Sequence, residues 1–206
     1  MWRMERNFCR VYLAYIKDFR DNQFVPDFIR AELQHISSPK VIDEKRAGYG
    51  LLQYAVQDVL GYRDDFHDIF QTDNRKPMSP KYFFSISHSG MLCAVALSNK
   101  NVGVDIEKIN LAKDMDKLKK ILLHEDEKKL SINTHEKLFV MFTQKEAMFK
   151  FNNEHKVFLP QRINTQTFDS YSTTLKSATD TYALSCVGEA INQIQLQSLA
   201  VDIVLD

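Results

Sequence analysis

Two carboxylates stand two residues apart in the stretch NVGVDIEKI, Asn101 to Ile109. Val102, Val104 and Ile106 alternate through it, the pattern of a β-strand. Side chains at i and i+2 of a strand share a face. Asp105 and Glu107 therefore point to one side, and Val104 and Ile106 to the other. Like charges held this close repel unless a cation or a proton lies between them. Either both carboxylates lie on the solvent face of a half-exposed strand, or they bind a hard cation through oxygen. In the second case Mg2+ comes before Zn2+, because neither His nor Cys lies beside them.

Other residues able to do chemistry are scattered along the chain. In EKLFVMFTQKEAMFK (136–150), helical spacing puts Leu138, Met141, Phe142, Met148 and Phe149 on one arc. Glu146 and Lys150, four apart, share its edge. They are either a surface pair that stabilises the helix by a few tenths of a kcal/mol or part of a site. Lys145 falls within the apolar arc and either snorkels out or meets an anion. In SISHSG (85–90), Ser87, His88 and Ser89 sit between two apolar runs. The stretch is a plain hairpin turn or a set of donors for a phosphate. In NRKP (74–77), Pro77 holds Arg75 and Lys76 in extended backbone, as a solvated turn or as a rigid presentation of cations to an anion. Arg46 lies in a helical stretch that also holds Gly48 and Gly50. Each glycine costs about 1 kcal/mol relative to Ala in a helix, so something is expected to approach the backbone there.

The elements that must position these residues are legible from spacing. Residues 11–16 alternate as a strand, and PDFIRAELQHI (26–36) is a helix with a Pro start. Residues 41–60 form a second helix closed by Gly61. TDNRKPMSP (72–80) is a loop or turn. KYFFSIS and MLCAVALS form a hairpin that feeds the strand 102–107. Residues 111–131 and 134–150 are helical, strands are expected at 182–187 and 194–204, and 161–180 is a loose polar connection. Helices, strands, helices, strands in this order predict an α+β fold. A boundary near residue 100 divides the chain into similar halves, 1–100 and 101–206.

The 206 residues are enough for one large domain or two small ones, with a sizeable core. Lys plus Arg equal Asp plus Glu at 27 each, so no global field draws the protein to nucleic acid or to a membrane surface. Anion recognition has to be local. Cys9, Cys93 and Cys186 are odd in number and far apart, as expected of reduced thiols. The apolar run VYLAYI is too short for a leader or a membrane span, and the expected location is the cytoplasm.

In chain order, Arg46, Arg75-Lys76-Pro77, Ser87-His88, Asp105-x-Glu107 and Lys145-Glu146 with Lys150 resemble the 4'-phosphopantetheinyl transferases of the surfactin-synthetase-activating type. That family carries a K-P turn, an F-N-[IV]-S-H-S stretch, a G-[VI]-D-[IV]-E strand and a W-x-x-K-E-[AS]-x-x-K helix. Here they read RKP, FSISHSG, GVDIE and FTQKEAMFK, and the likeness runs from about Arg46 to Lys156. Ser85 stands where the family usually has Asn, and Phe142 where it usually has Trp. NNEHKVF follows Lys150 in place of G-K-G-[LF]. No charged residue of the motifs is lost.

The resemblance implies two similar α+β halves, a pseudo-dimer, each a small antiparallel sheet packed on helices. Residues 1–100 would supply basic, phosphate-binding groups, residues 101–206 the metal and catalytic groups, and coenzyme A would bind the cleft between them. It implies transfer of the 4'-phosphopantetheine arm to a serine of an apo acyl or peptidyl carrier protein, with release of adenosine 3',5'-bisphosphate, by a monomer. Mg2+ would lie on Asp105, Glu107 and Glu146. Arg46, Arg75, Lys76, Pro77, Ser87 and His88 would bind coenzyme A. Lys150 would stabilise or protonate the leaving phosphate. Glu146 is the family's usual base, but a carboxylate bound to Mg2+ has a lowered pKa and is a weak base, so either Glu146 works through a bridging water or a metal-bound hydroxide acts instead. Five lysines from Lys108 to Lys120 against Asp114 and Asp116 would receive an acidic carrier. Two rivals are a catalytically inactive relative that binds coenzyme A or a carrier, and another Mg2+-dependent phosphohydrolase or nucleotidyl enzyme.

Overall fold

Strand β1, Cys9–Tyr15, is buried on both faces. It is a central strand of a sheet with helices on one side and a second sheet on the other. The computed structural model describes residues 7–152, 157–200 and 203–205. Residues 153–156, part of the NNEHKVF stretch, lie outside the described residues. After β1 come α1 (Ile16–Phe19), α2 (Asp27–Leu33) and α3 (Pro39–Leu60). The short strands β2 (Phe70–Gln71) and β3 (Pro77–Met78) follow, then β4 (Phe83–Ser89), β5 (Leu92–Ser98) and β6 (Val102–Lys108). Helices α4 (Met115–Leu122) and α5 (His135–Asn152) precede β7 (Tyr171–Lys176), β8 (Thr181–Gly188), β9 (Ile194–Ser198) and β10 (Val204–Leu205).

The first sheet has the order β4-β5-β1-β9, with β9 parallel to β1, and the second has the order β10-β7-β8-β6. One face of the first sheet, with Tyr12, Val95 and Leu97, packs on Leu51, Leu52 and Val56 of α3. The opposite face, with Val11, Leu13 and Ala94, packs on Val104, Ile106 and Leu184 of the second sheet. Helix α5 covers the outer face of β6 and β8. The layers are thus helix, sheet, sheet, helix, an α+β fold of small sheets packed on helices. Double burial explains why MLCAVALS is apolar at nearly every position: β5 has both faces covered.

Local signals account for the elements around the site. Helix α3 begins with Pro39 at its first position and ends at Gly61, whose φ of 75° lets its N–H reach the Gln57 carbonyl. The approach expected at its glycines is by the protein itself. A Cβ at Gly48 would lie 2.6 Å from Cγ2 of Ile86 on β4, and one at Gly50 would lie 3.1 Å from Phe19.

Three expectations change. The helical stretch 111–131 breaks into α4 and a 3-10 turn, Glu125–Lys129. The loose connection 161–180 contains β7, an inner strand of the second sheet between β8 and β10. Only Leu175 of β7 is fully buried, so YSTTLK lacks the apolar run that marks the other inner strands. The single strand expected at 194–204 is two strands in different sheets, with residues 201–202 outside the described residues. Among the described residues no helix is long and apolar enough to cross a membrane.

Candidate active site at the seam between the sheets

The edge strands β4 and β6 lie side by side, and serine side chains join them. An edge strand presents N–H groups that lack a strand partner. Along β6 they find hydroxyls. Val104 N–H donates to Ser85 Oγ at 3.0 Å, Ile106 N–H to Ser87 Oγ at 3.4 Å and Lys108 N–H to Ser89 Oγ at 2.9 Å. The same hydroxyls give their protons to the carboxylates: Ser87 Oγ to Asp105 Oδ1 at 2.7 Å, and Ser89 Oγ to Glu107 Oε2 at 2.8 Å. On that face of β6 the next position is Gly103, where a Cβ would collide with the Ala147 carbonyl oxygen and lie 2.7 Å from the Phe151 nitrogen. Gly103 lets α5 come down on the strand and bring its last turns to the carboxylates.

Lys150 of α5 crosses to β6. Its Nζ donates to Asp105 Oδ1 at 2.7 Å and to the Val104 carbonyl at 3.1 Å. The spacing of Glu146 and Lys150 allows a surface pair, but among the described residues the ammonium pairs with Asp105 instead. Lys76 in turn donates from Nζ to the Lys150 carbonyl at 2.6 Å, and burial holds its pKa below the ordinary lysine value. Lys76, Lys150, Asp105 and Ser87 therefore form one connected chain of hydrogen bonds.

Asp105 is 3% exposed, so the strand does not turn this carboxylate to solvent. Its Oδ2 is buried and has no hydrogen-bond partner. Its neighbour across the β6–β8 ladder is Ser185. Donor counting shows why that hydroxyl does not help. Thr143 gives its proton to the Val140 carbonyl. Ser185, 2.7 Å from Thr143 Oγ1, therefore donates to Thr143, and Ser172, 2.9 Å from Ser185, donates to Ser185. The one proton on Ser185 points away from Asp105.

Glu146, half-buried on α5, is pushed up to about 7. Burial is the largest cause, the charge of Asp105 adds to it, Lys150 opposes it, and Glu107 raises it further. Burial also raises Glu107, against the Ser89 hydrogen bond and with the charge of Asp105. The three carboxylates thus feel one another. They do not form a finished chelate: among the described residues no group of three or more His, Cys, Asp or Glu side chains converges to hold a metal ion. Their chemistry nevertheless fits a hard divalent cation. All donors are oxygen, one buried carboxylate oxygen is unpartnered, and two neighbouring carboxylates favour protonation over mutual repulsion.

The remaining expected residues divide. His88 follows Ser87 on β4 and faces α3, with Nδ1 3.7 Å from Glu44 Oε2. Burial lowers its pKa, Glu44 opposes this, and the charge of Lys150 adds to it. Arg46 lies on a different face of α3 from Glu44 and Gly48. Its carbonyl accepts from Asn22, and its side chain has no hydrogen bond or ion pair to the residues of the seam. Arg75 is exposed at the tip of the β2–β3 turn with φ 61°, and Pro77 pairs with Gln71 in that hairpin. Ser87 and Ser89, expected as phosphate donors, spend their protons on carboxylates.

Lys145 meets an anion. It is fully buried, 2.5 Å from Glu127 Oε2, and also donates to the carbonyls of Leu122, Pro160 and Ile163. Glu127 Oε1 accepts from the Thr165 N–H and hydroxyl, both at 2.7 Å. Phe142, in the usual place of Trp, stacks edge-on against Phe158 at 5.9 Å. An apolar crevice of about 120 Å³ opens beside Glu107, walled by Leu118, Leu122, Phe139 and Phe142, with Lys113. A larger cleft of about 940 Å³ is lined by Gly90 and Met91 of the β4–β5 turn, by Lys17, Arg20 and Lys40, and by Glu44, the partner of His88.

Sequence reasoning missed Glu44 and the role of Ser85, Ser87 and Ser89 as partners of β6. The serines were visible as Ser at 85, 87 and 89, a strict i, i+2, i+4 row on one face of a strand. Nothing local marks Glu44 as the partner of His88. Residues 101–200 match the family model described as the 4'-phosphopantetheinyl transferase superfamily, and no curated protein matches the chain. The matched residues hold β6, α4, α5, β7, β8 and β9, including Asp105, Glu107, Glu146 and Lys150.

Proposed function

We propose that this chain transfers the 4'-phosphopantetheine arm of coenzyme A to a serine of an apo acyl or peptidyl carrier protein, releasing adenosine 3',5'-bisphosphate. The observation that carries the reading is the bond of Lys150 to Asp105 where α5 descends on β6, with Glu107 and Glu146 close enough to feel its charges, all within residues 101–200 that match the transferase superfamily, and with Lys76 reaching in from outside them.

Asp105, Glu107 and Glu146 would hold Mg2+, which when bound offsets the negative charge of the pyrophosphate. The chain's own groups do the rest. Lys76 and Lys150 place two ammonium groups at the last turns of α5, in reach of a pyrophosphate at the seam, and His88 adds an imidazole on the α3 side. The carrier serine attacks the phosphorus that bears pantetheine, and the bond from that phosphorus to the bridging oxygen breaks. Lys150 stabilises the charge that appears on the leaving bisphosphate. A carboxylate oxygen of Glu146 takes the serine proton; its metal-free pKa of about 7 would be lowered by the cation it helps to hold, so the base role rests on its place in the seam. The acidic carrier is received by Lys113, Lys117, Lys119 and Lys120. Lys108 contributes less to this patch, since Asp180 already pairs with it.

The test is incubation of several apo-carriers with coenzyme A and Mg2+, read by mass spectrometry. A carrier heavier by one phosphopantetheine arm is the expected result. Coenzyme A binding with no mass gain on any carrier would mean an inactive binding relative. Hydrolysis of coenzyme A without a carrier would mean a phosphohydrolase.

A further inference from the structure

The serines of β4 do more than close the seam. Each of Ser87 and Ser89 is bound at both ends to β6: it accepts the N–H of the residue after a carboxylate and donates to that carboxylate. The arrangement occurs twice with the same offsets. It engages one oxygen of each carboxylate, Asp105 Oδ1 and Glu107 Oε2. The other oxygen of Asp105 stays buried and unpartnered, and Glu107 Oε1 has no hydrogen bond among the described residues. Where β6 has no carboxylate, at Gly103, Ser85 keeps only the backbone half of the pattern and accepts from Val104. Hydroxyls that served the backbone alone would not need to point their protons at two carboxylates whose charges already repel.

We propose that Ser87 and Ser89 are positioning residues that fix the rotamers of Asp105 and Glu107, so that one free oxygen of each is presented to a divalent cation. This rests on the metal-binding part of the proposed function. It reassigns both hydroxyls from the substrate phosphates to the carboxylates. It also makes the geometry of the cation site depend on the first sheet, because the residues that orient the ligands belong to β4 and the ligands to β6.

The experiment is Mn2+ binding to the metal-free protein, followed by the loss of the free-ion EPR signal, for wild type, Ser89→Ala, Ser89→Thr and Ser87→Ala. Ser89 is the more informative site. It is half-buried, and the Lys108 N–H that would lose its acceptor is exposed, so water replaces the backbone bond and the fold survives. Ser89→Ala is expected to bind Mn2+ at least 10-fold more weakly, as when other groups that orient metal ligands are removed. Its melting temperature in EDTA should stay at the wild-type value. Ser89→Thr keeps the hydroxyl on a strand and should bind as wild type does. Wild-type affinity in Ser89→Ala, or equal loss in Ser89→Thr, overturns the proposal, as does failure of the wild type to bind Mn2+. A wild type that binds Mn2+ but modifies no carrier leaves this inference standing and removes the transferase reading instead.

Discussion

The ammonium of Lys150 lies 2.7 Å from Asp105 Oδ1, linking the end of α5 to the middle of β6. The pair is asymmetric: the Asp105 side chain is 4% exposed and that of Lys150 is 26% exposed. The protein's own cation therefore already neutralises part of the carboxylate cluster, and removing it leaves a buried anion behind.

Lys150→Met is accordingly expected to lower stability by about 1–3 kcal/mol, less than for a fully buried pair because Lys150 is partly solvated. Lys150→Met combined with Asp105→Asn should recover most of that loss, since no unpaired charge remains. Neither variant should modify a carrier. Urea unfolding and the carrier mass assay check the two halves of the statement, and full loss of stability in the double variant would disprove the pairing argument.

Glu146 makes stability depend on pH. Its folded pKa of about 7 lies above the ordinary 4.5, so the folded state holds this proton more tightly than the unfolded chain. That contribution is complete below pH 4.5 and is lost as pH rises through about 7. Metal-free Glu146→Gln should therefore match wild type at pH 4 and exceed it at pH 8 by about 3 kcal/mol. Mg2+ should raise the melting temperature of wild type at pH 8 more than that of the variant. Thermal melts with EDTA or Mg2+ at both pH values test this, and a constant difference across pH would contradict it.

Lys145 and Glu127 form a pair with no access to water. Replacing one partner leaves a buried charge, so Lys145→Met or Glu127→Gln should each cost about 3–5 kcal/mol. The double variant should cost clearly less than the sum. Guanidinium unfolding of all four proteins gives the coupling, and simple additivity would show that the carbonyls of Leu122, Pro160 and Ile163, not Glu127, set the fate of the lysine.

Charge reversal at Lys117 and Lys120 addresses partner docking. Both lie on α4, whose N-terminus is capped by the Asp114 side chain accepting from Asp116 and Lys117. Lys117→Glu with Lys120→Glu should raise the KM for an acidic carrier several-fold at low salt, with little effect at high salt and an unchanged kcat. An unchanged KM at low salt would remove the patch from the docking surface.

The strand of Asp105 and Glu107 was legible because its alternation is strict and one face is wholly apolar. Helix α3 was legible from Pro39 and Gly61, which act within a few residues of themselves. Strand β7 was not, since five of its six residues are only partly buried or exposed and carry no apolar pattern. The conflict at Lys145 could be seen, but its resolution could not. Glu127 is 18 positions earlier, on a 3-10 turn that no helical period describes. At the site, the types and order of Lys76, Ser87, Asp105, Glu146 and Lys150 sufficed to nominate them. Which partner each takes did not follow, because i, i+4 geometry allows Lys150 to meet Glu146, and only the approach of α5 at Gly103 sends it to Asp105. Arg46 shows the converse: chain order nominated it, and helical phase puts it on another face from the residue that holds His88.

Strand β9 leaves the second sheet's part of the chain and lies parallel to β1, from Cys9↔Ile194 to Leu13↔Ser198. The polypeptide thus returns to the first sheet before β10 completes the second, so each sheet holds a strand from the end of the chain. Pulling the two sheets apart must first strip β9 from β1, so the seam that carries the carboxylates is laced shut at a distance from itself. The molecule should unfold in one step. A chain cut between β8 and β9 should melt at a lower temperature than the intact one, although every residue of the seam is still present.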